Sequence, residues 1–360
     1  MLKEVYWLGL KLIPELNNRL NRALECFGSP ENIWKASIKE LRGELGLSVD
    51  VAEGVIRQKN ELCLDRELDK IRRAGVELLT ISDPSYPGPL KEIHSPPPVL
   101  FIKGELIKSY EVAVAIVGSR KASSFGRTLA SELAQNLSRC GITIVSGVAR
   151  GIDSAAHRGA LKEEGGTVGV LGCGLDIVYP PENKRLYLEI AERGSLISEQ
   201  PLGMRALPQH FPARNRIISG LSLGVIVIEA PQKSGALITA DFALEQGREV
   251  MAVPGNVKSS LSKGTHTLLK QGACLVESVD DVIEALNLNL KSIKGGISGK
   301  EELLSAQEKA VLTVLDWEPR HIDAIASEVG LTASQVASLL SVLEIKGFVK
   351  QDFGKRYLRI

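Results

Sequence analysis

Five short stretches set glycine or a small amide beside arginine or lysine in a pattern suited to holding phosphate. They are Gly118-Ser119-Arg120-Lys121, Gly147-Val148-Ala149-Arg150-Gly151, Asn183-Lys184, Phe211 through Arg214-Asn215-Arg216, and Lys233-Ser234-Gly235. Glycine lets backbone approach an anion closely, unpaired amides at a helix start donate to it, and arginine adds a fork matched to phosphate oxygens. Any one such loop reads equally well as a turn with a solvated basic residue. Five of them converging describe a track of phosphates rather than a pocket for one nucleotide. Aromatic residues are only 4% of the chain, which argues against an extended stacking platform. Binding through backbone phosphate is sequence-tolerant and salt-sensitive, with Phe211 and Phe125 as the base-stacking candidates near the rim.

Other chemistries fit less well. Where a dinucleotide fingerprint G-x-G-x-x-G would follow the first core strand stands GSRKASSFG, which argues against NAD or FAD. A closer enzymatic rival is the Rossmann-like nucleoside-monophosphate phosphoribohydrolase, with its loop P-G-G-x-G-T-x-x-E. Ser234-Gly235-Ala236-Leu237-Ile238-Thr239 keeps the threonine, but Phe242 stands in the glutamate's place and Asp241 one position early. Asp153 and His157, four apart on one helix face, resemble a metal or acid–base pair without a third ligand nearby; a hydrogen bond positioning the helix is the simpler reading. Cys173, in a glycine turn, has no assignable histidine partner and reads as packing. The five cysteines, odd in number and never in C-x-x-C, indicate neither a disulfide framework nor a zinc site and are expected as buried thiols of a reducing cytoplasm. No catalytic residue, cofactor or metal is expected.

For the basic loops to meet, the strands before them must run parallel, because all strand C-termini then share one edge, where ligands bind. Short β-branched runs alternating with helical patterns meet that need at Val112–Val117, Ile142–Val145, Thr167–Leu171, Ser195–Ser198, Val225–Ile228, Glu249–Val253 and Cys274–Val276, with earlier candidates at Val76–Ile81 and Val99–Ile102. Nearly continuous apolar strands predict an α/β class, a Rossmann-like, doubly wound, mostly parallel sheet over residues 71–290. The proline-rich segment Asp83–Pro98 reads as an ordered surface connector. Residues 1–70 read as a small helical module of SAM or helix-hairpin-helix type, with Gly28 and Gly46 as helix C-caps or, at Gly46, a phosphate-facing turn.

Residues 291–302, rich in glycine, serine and lysine, read as a flexible linker. Residues 303–360 hold three amphipathic helices, the third entered at Thr332 as N-cap, and a hairpin turning near Gly354: a winged helix. That third helix displays Ser334, Gln335, Ser338 and Ser341 rather than arginines, a poor face for reading duplex DNA. Lys346, Lys350, Lys355, Arg356 and Arg359 against Glu344 and Asp352 still leave the segment basic. The whole chain is nearly neutral, with 44 basic against 43 acidic residues, so any nucleic-acid site must be local. No apolar run approaches the length of a membrane span, and the amino terminus lacks the pattern of a signal peptide, so a cytoplasmic protein without membrane contact is expected.

Read in order, the strings AIVGSRKASSFG, IVSGVARGIDSAAHRGAL, GVLGCGLDIVYPPENKRL, LISEQPLG, FPARNRIISGLS, VIVIEAPQKSGALITADFALEQGREVMAVPG and LLKQGACLVES resemble the DNA-processing protein A (DprA/Smf) family, from about Ser82 to Val279. The flanking modules are similar to that family's three-part layout. The resemblance implies a non-enzymatic core that homodimerises, binds and protects single-stranded DNA during natural transformation, and helps load the RecA recombinase onto it. It also implies DNA-binding roles for the GSR arginine Arg120, for Asn183 and Lys184 after YPPEN, and for the RNR pair Arg214 and Arg216. Pro181-Glu182 departs locally, adding a carboxylate beside Lys184 that would trim the positive rim. A duplex-binding winged-helix regulator remains an alternative.

Overall fold

The computed structural model describes residues 2–17, 19–105, 112–163, 166–288, 304–315, 319–345, 348–352 and 354–359. The linker expected over 291–302 lies outside the described residues. The chain forms two compact units, Met1–Leu290 and Lys291–Ile360.

One sheet organises the first unit. Its strands are β1 (Glu77–Thr80), β2 (Val99–Gly104), β3 (Ala113–Val117), β4 (Thr143–Ser146), β5 (Thr167–Leu171), β6 (Ser195–Ser198), β7 (Gly224–Val227), β8 (Glu249–Ala252) and β9 (Cys274–Leu275). They lie in the order β1-β2-β6-β5-β4-β3-β7-β8-β9. Strand β2 runs antiparallel to both β1 and β6, while the strands from β3 to β9 pair in parallel. The chain steps outward from β3 to β6, then crosses back to lay β7 on the other side of β3. That reversal makes the β3–β7 junction the switch point, where crossovers diverge and leave a crevice.

Helices α1 (Leu2–Leu12), α2 (Pro14–Asn17), α3 (Leu20–Phe27), α4 (Pro30–Lys35), α5 (Ile38–Leu45), α6 (Val49–Glu61) and α7 (Leu64–Arg73) precede the sheet. Helices α8 (Gly88–Lys91), α9 (Ser124–Arg139), α10 (Ile152–Ala160), α11 (Lys184–Arg193), α12 (His210–Gly220), α13 (Gly235–Glu245), α14 (Lys263–Lys270) and α15 (Val279–Ala285) connect or follow its strands. Both sheet faces are covered, which is why the strands read as unbroken apolar runs. In β3, Ala113, Ala115 and Val117 join a core with Ile217 of α12 and Ala240 of α13, whereas Val114 and Ile116 join Leu133 of α9 and Ala156 of α10.

Residues 1–70 share their core with the sheet: Leu8, Leu16, Leu41 and Val55 belong to one buried cluster with Phe101, Leu186 and Leu196. Gly28 and Gly46 take left-handed conformations and close α3 and α5, the C-cap alternative of the sequence reading. The proline-rich connector is anchored by buried Tyr86, Leu90 and Ile93, and the Tyr86 hydroxyl donates to Pro97 O at 2.7 Å. The cysteines differ from expectation. All five are free thiols, yet only Cys173 is buried; Cys26 and Cys63 are exposed, since each lies on or beside a helix at a position turned away from the core.

In the second unit, helices Ala306–Thr313, Ile322–Val329 and Ala333–Ile345 pack with β10 (Arg320–His321), β11 (Val349–Asp352) and β12 (Arg356–Arg359), paired in the order β10-β12-β11. The second and third helices meet at 106°, within the range of a helix-turn-helix, around a left-handed Gly330. Thr332 caps the third helix: Gln335 N donates to its Oγ1 at 3.4 Å and its own N donates to Gln335 Oε1 at 3.0 Å. Ser334, Gln335, Ser338 and Ser341 are exposed on it. Among the described residues no single helix is long and apolar enough to cross a membrane.

Candidate nucleic-acid interface

All five basic stretches follow strands of the parallel set or open the helices beside them, and their contacts form one continuous chain around the switch point. The loop after β3 is tied to the end of β7 by Ser119 N donating to Glu229 O at 2.7 Å, and to the start of α10 by Ile152 N donating to Ser119 O at 3.3 Å. Gly151 makes this possible. At φ +77 it lies so near Ser119 O that a Cβ would stand 2.2 Å away, a backbone clash no rotamer relieves. Across the crevice, Asn215 Nδ2 donates to Gly235 O at 3.2 Å, and Ser234 caps α13 through Ala236 N.

On this edge Arg120, Lys121, Lys184 and Lys233 are exposed, and no carboxylate among the described residues lies within ion-pair distance of them. Arg150 is also exposed but is engaged by Glu182, the carboxylate singled out beside Lys184. The Arg120 guanidinium lies over the Phe211 ring, 5.1 Å from its centroid. Phe211 in turn packs against Tyr179, with ring centroids 5.4 Å apart and planes tilted by 38°. One of the exposed cations, Arg120, therefore stands directly against a small aromatic pair.

Several expected phosphate ligands face inward instead. Arg214 is 7% exposed; its Nη1 donates to Gly147 O at 2.8 Å and to Val170 O, satisfying carbonyls at the ends of β4 and β5. Burial pulls its pKa down to about 10, against the opposing pull of Asp153, so it remains cationic at neutral pH. A Cβ on Gly147 would meet both Arg214 and Asp153, so this glycine is required by a brace beneath the rim. Asn183 is buried too, its Nδ2 donating to Val148 O and Ser154 Oγ, both at 2.9 Å. Asn215 and Ser119 are likewise buried. Arg216 turns toward Glu199 at 2.8 Å, and Glu199 also meets Lys11 of α1 at 3.5 Å. The side chains of Arg214, Asn183 and Asn215 thus turn to the backbone of the loops rather than outward as forks, and neighbouring residues carry the exposed charge.

The remaining polar candidates are structural. Thr167 Oγ1 donates to Ile144 O at 2.8 Å, so its contact with His157 Nδ1 at 2.8 Å requires that nitrogen to donate. Burial drives the imidazole pKa down to about 3, and the ring stays neutral while it ties α10 to β5. Asp153 Oδ2 accepts from Ala149 N at 3.3 Å, and burial pushes its carboxyl upward. The Cys173 thiol is pushed up to about 11 by burial, which suppresses thiolate at neutral pH.

Sequence reasoning missed two residues that define the site. Glu229 sits at the amino end of α9, where Ser123 N and Oγ donate to its carboxylate at 2.8 and 2.5 Å. That is the place a dinucleotide pyrophosphate takes in a Rossmann fold, and here the protein's own anion fills it. The second is Tyr179, for which the sequence signal is an aromatic residue beside a proline in a strand-end loop.

The site and fold can be set beside known proteins. A model of the family DNA recombination-mediator protein A matches residues 77–287, and one of the DprA winged helix domain matches residues 299–355. Protein Smf of Synechocystis is 35% identical, with 99% of each chain covered. The X-ray structure of DNA processing protein A from Streptococcus pneumoniae is similar at TM-score 0.70 and 37% identity, covering 78% of this chain and 97% of that one. DNA processing protein A from Helicobacter pylori, described for its unique single-stranded DNA binding mode, is similar at TM-score 0.53 and 29% identity over 59% of this chain and 97% of that one. With relatives matched nearly end to end and both family models in register with its two units, the chain belongs to the DNA recombination-mediator protein A family.

Proposed function

We propose that this chain is a non-enzymatic, cytoplasmic protein that lays single-stranded DNA along the C-terminal edge of its parallel sheet. In this reading it protects incoming DNA and, as a homodimer, helps load the RecA recombinase during transformation or a related recombination task. The observation that carries the reading is that Arg120, Lys121, Lys184 and Lys233 are exposed on loops of one sheet edge, none held by a carboxylate among the described residues, with Arg120 over the Phe211 ring that packs on Tyr179. Cations spread over separate loops suit a chain of phosphates better than one nucleotide. The single-strand binding described for the Helicobacter pylori relative points the same way.

Gly118, Gly147 and Gly151 serve by close backbone packing, Ser234 and Gly235 by opening α13, and the buried Arg214, Asn183 and Asn215 by holding the loops. The hydrolase alternative has little to work with: Thr239 is 2% exposed, Asp241 is exposed on α13, and Phe242 replaces the glutamate. Purified protein should accordingly release no base from nucleoside monophosphates.

The test is a titration of single- and double-stranded oligonucleotides of mixed sequence over a salt series. Single strands should bind more tightly, and Arg120→Ala should weaken every sequence alike while reducing the slope of log K against log salt by about 0.7, one phosphate on a single strand. A loss that depended strongly on base composition would make Arg120 a base reader and overturn the track. Truncation after Lys294 should leave most single-strand affinity; losing nearly all of it would move the principal site to the winged helix.

A further inference from the structure

We propose that Tyr179 is a base-stacking residue that gives this edge its preference for unpaired nucleotides. The inference rests on the single-strand reading above and adds how that strand is told from a duplex. Tyr179 and Phe125 are the two exposed aromatic side chains among the described residues. Of the two, Tyr179 has an aromatic partner on the rim: its ring meets Phe211 at 5.4 Å while 41% of the residue stays in solvent.

The pair is built rather than incidental. Phe211 is half-buried over Gly172, where a Cβ would come within 3.2 Å of the ring, so glycine there lets Phe211 lie against the end of β5. Arg120 covers Phe211 at 5.1 Å and Arg214 approaches it at 6.0 Å. Phe211 is thus held from its own side by cations and backbone, and Tyr179 is the member left open to solvent. Three residues beyond Tyr179, Glu182 holds Arg150, so the open ring belongs to a loop that meets Arg150 and packs on the ring that Arg120 covers. A strand whose phosphates meet those cations can lay one base on Tyr179. Duplex bases have both faces covered by their neighbours in the stack and offer none. Phosphate contact alone does not discriminate in this way; an open ring beside the track does.

The experiment uses the full chain with two probes, an oligothymidylate and an abasic deoxyribose-phosphate oligomer of equal length. Tyr179→Ala should weaken oligothymidylate binding about 5- to 100-fold and leave the abasic probe unchanged, while Tyr179→Phe should behave as wild type on both. Tyr179→Trp adds a direct reading, since its emission should be quenched by oligothymidylate and not by the abasic probe. Equal losses on both probes, no loss on either, or unquenched tryptophan with bound oligothymidylate would each overturn the assignment. Wild-type protein that binds neither probe would instead overturn the single-strand reading of the edge and the assignment with it.

Discussion

Replacing Glu182 with glutamine should make the protein bind single-stranded DNA more tightly. The Glu182 carboxylate accepts from Arg150 Nε, and both side chains stand well out in solvent, 48% and 61% exposed. Glutamine matches the shape, leaves the Pro181–Asn183 turn intact and removes the charge that now competes with phosphate for Arg150. If the freed guanidinium takes one phosphate, log K gains about 0.7 per decade of salt dilution, since each neutralised phosphate on a single strand releases that much counterion. The gain is then about fivefold at roughly 0.1 M salt, about fifteenfold at roughly 0.02 M, and vanishes toward roughly 1 M. Fluorescence anisotropy of a labelled oligothymidylate across that series measures both affinity and slope, and adding Arg150→Ala should return the slope to that of wild type. Because binding improves, misfolding cannot imitate the result. An unchanged slope, or weaker binding, would show that Arg150 does not face the strand and that the loop after β4 lies off the track.

Stability should respond to acid through His157. Its folded pKa of about 3 lies below its ordinary 6.5, so its contribution is complete above 6.5 and is lost as pH falls toward 3. Between about pH 6.5 and 4.5 the loss is roughly 2 to 3 kcal/mol in denaturant unfolding. Asp153, with its pKa raised, acts in the opposite direction in both proteins, so a His157→Gln variant with the same pH slope as wild type would refute this. In the network joining α1 to α12, burial pulls the Lys11 amine down despite Glu199, so Lys11→Met should be neutral or stabilising while the Arg216–Glu199 pair persists. Glu199→Leu, which leaves the buried Lys11 and the partly buried Arg216 without their carboxylate, should cost about 3 to 5 kcal/mol; the reverse order in thermal and urea melts would refute the account.

The chain's local patterns were enough to specify its elements. Unbroken apolar runs such as Ala113–Val117 mark strands covered on both faces, Gly28 and Gly46 mark helix ends, and the helical periods after residue 303 mark a winged helix. From parallel strands alone it followed that the loops carrying Arg120, Arg150, Lys184 and Lys233 share an edge, because topology orders strand ends without knowledge of any side chain. Which way each side chain turned was decided only in the tertiary structure. Arg214 finds Gly147 O across 67 residues and Glu229 finds Ser123 across 106, distances over which no periodicity carries information. A long polar side chain goes wherever the fold leaves a buried carbonyl or helix end unsatisfied, since an unmade hydrogen bond there costs more than exposing the residue would gain. So Arg214 of the RNR motif, a phosphate fork by its residue type, turns inward to Gly147 O, while Tyr179, marked in the sequence only as an aromatic residue beside a proline, packs on the ring of Phe211 that lies over Gly172.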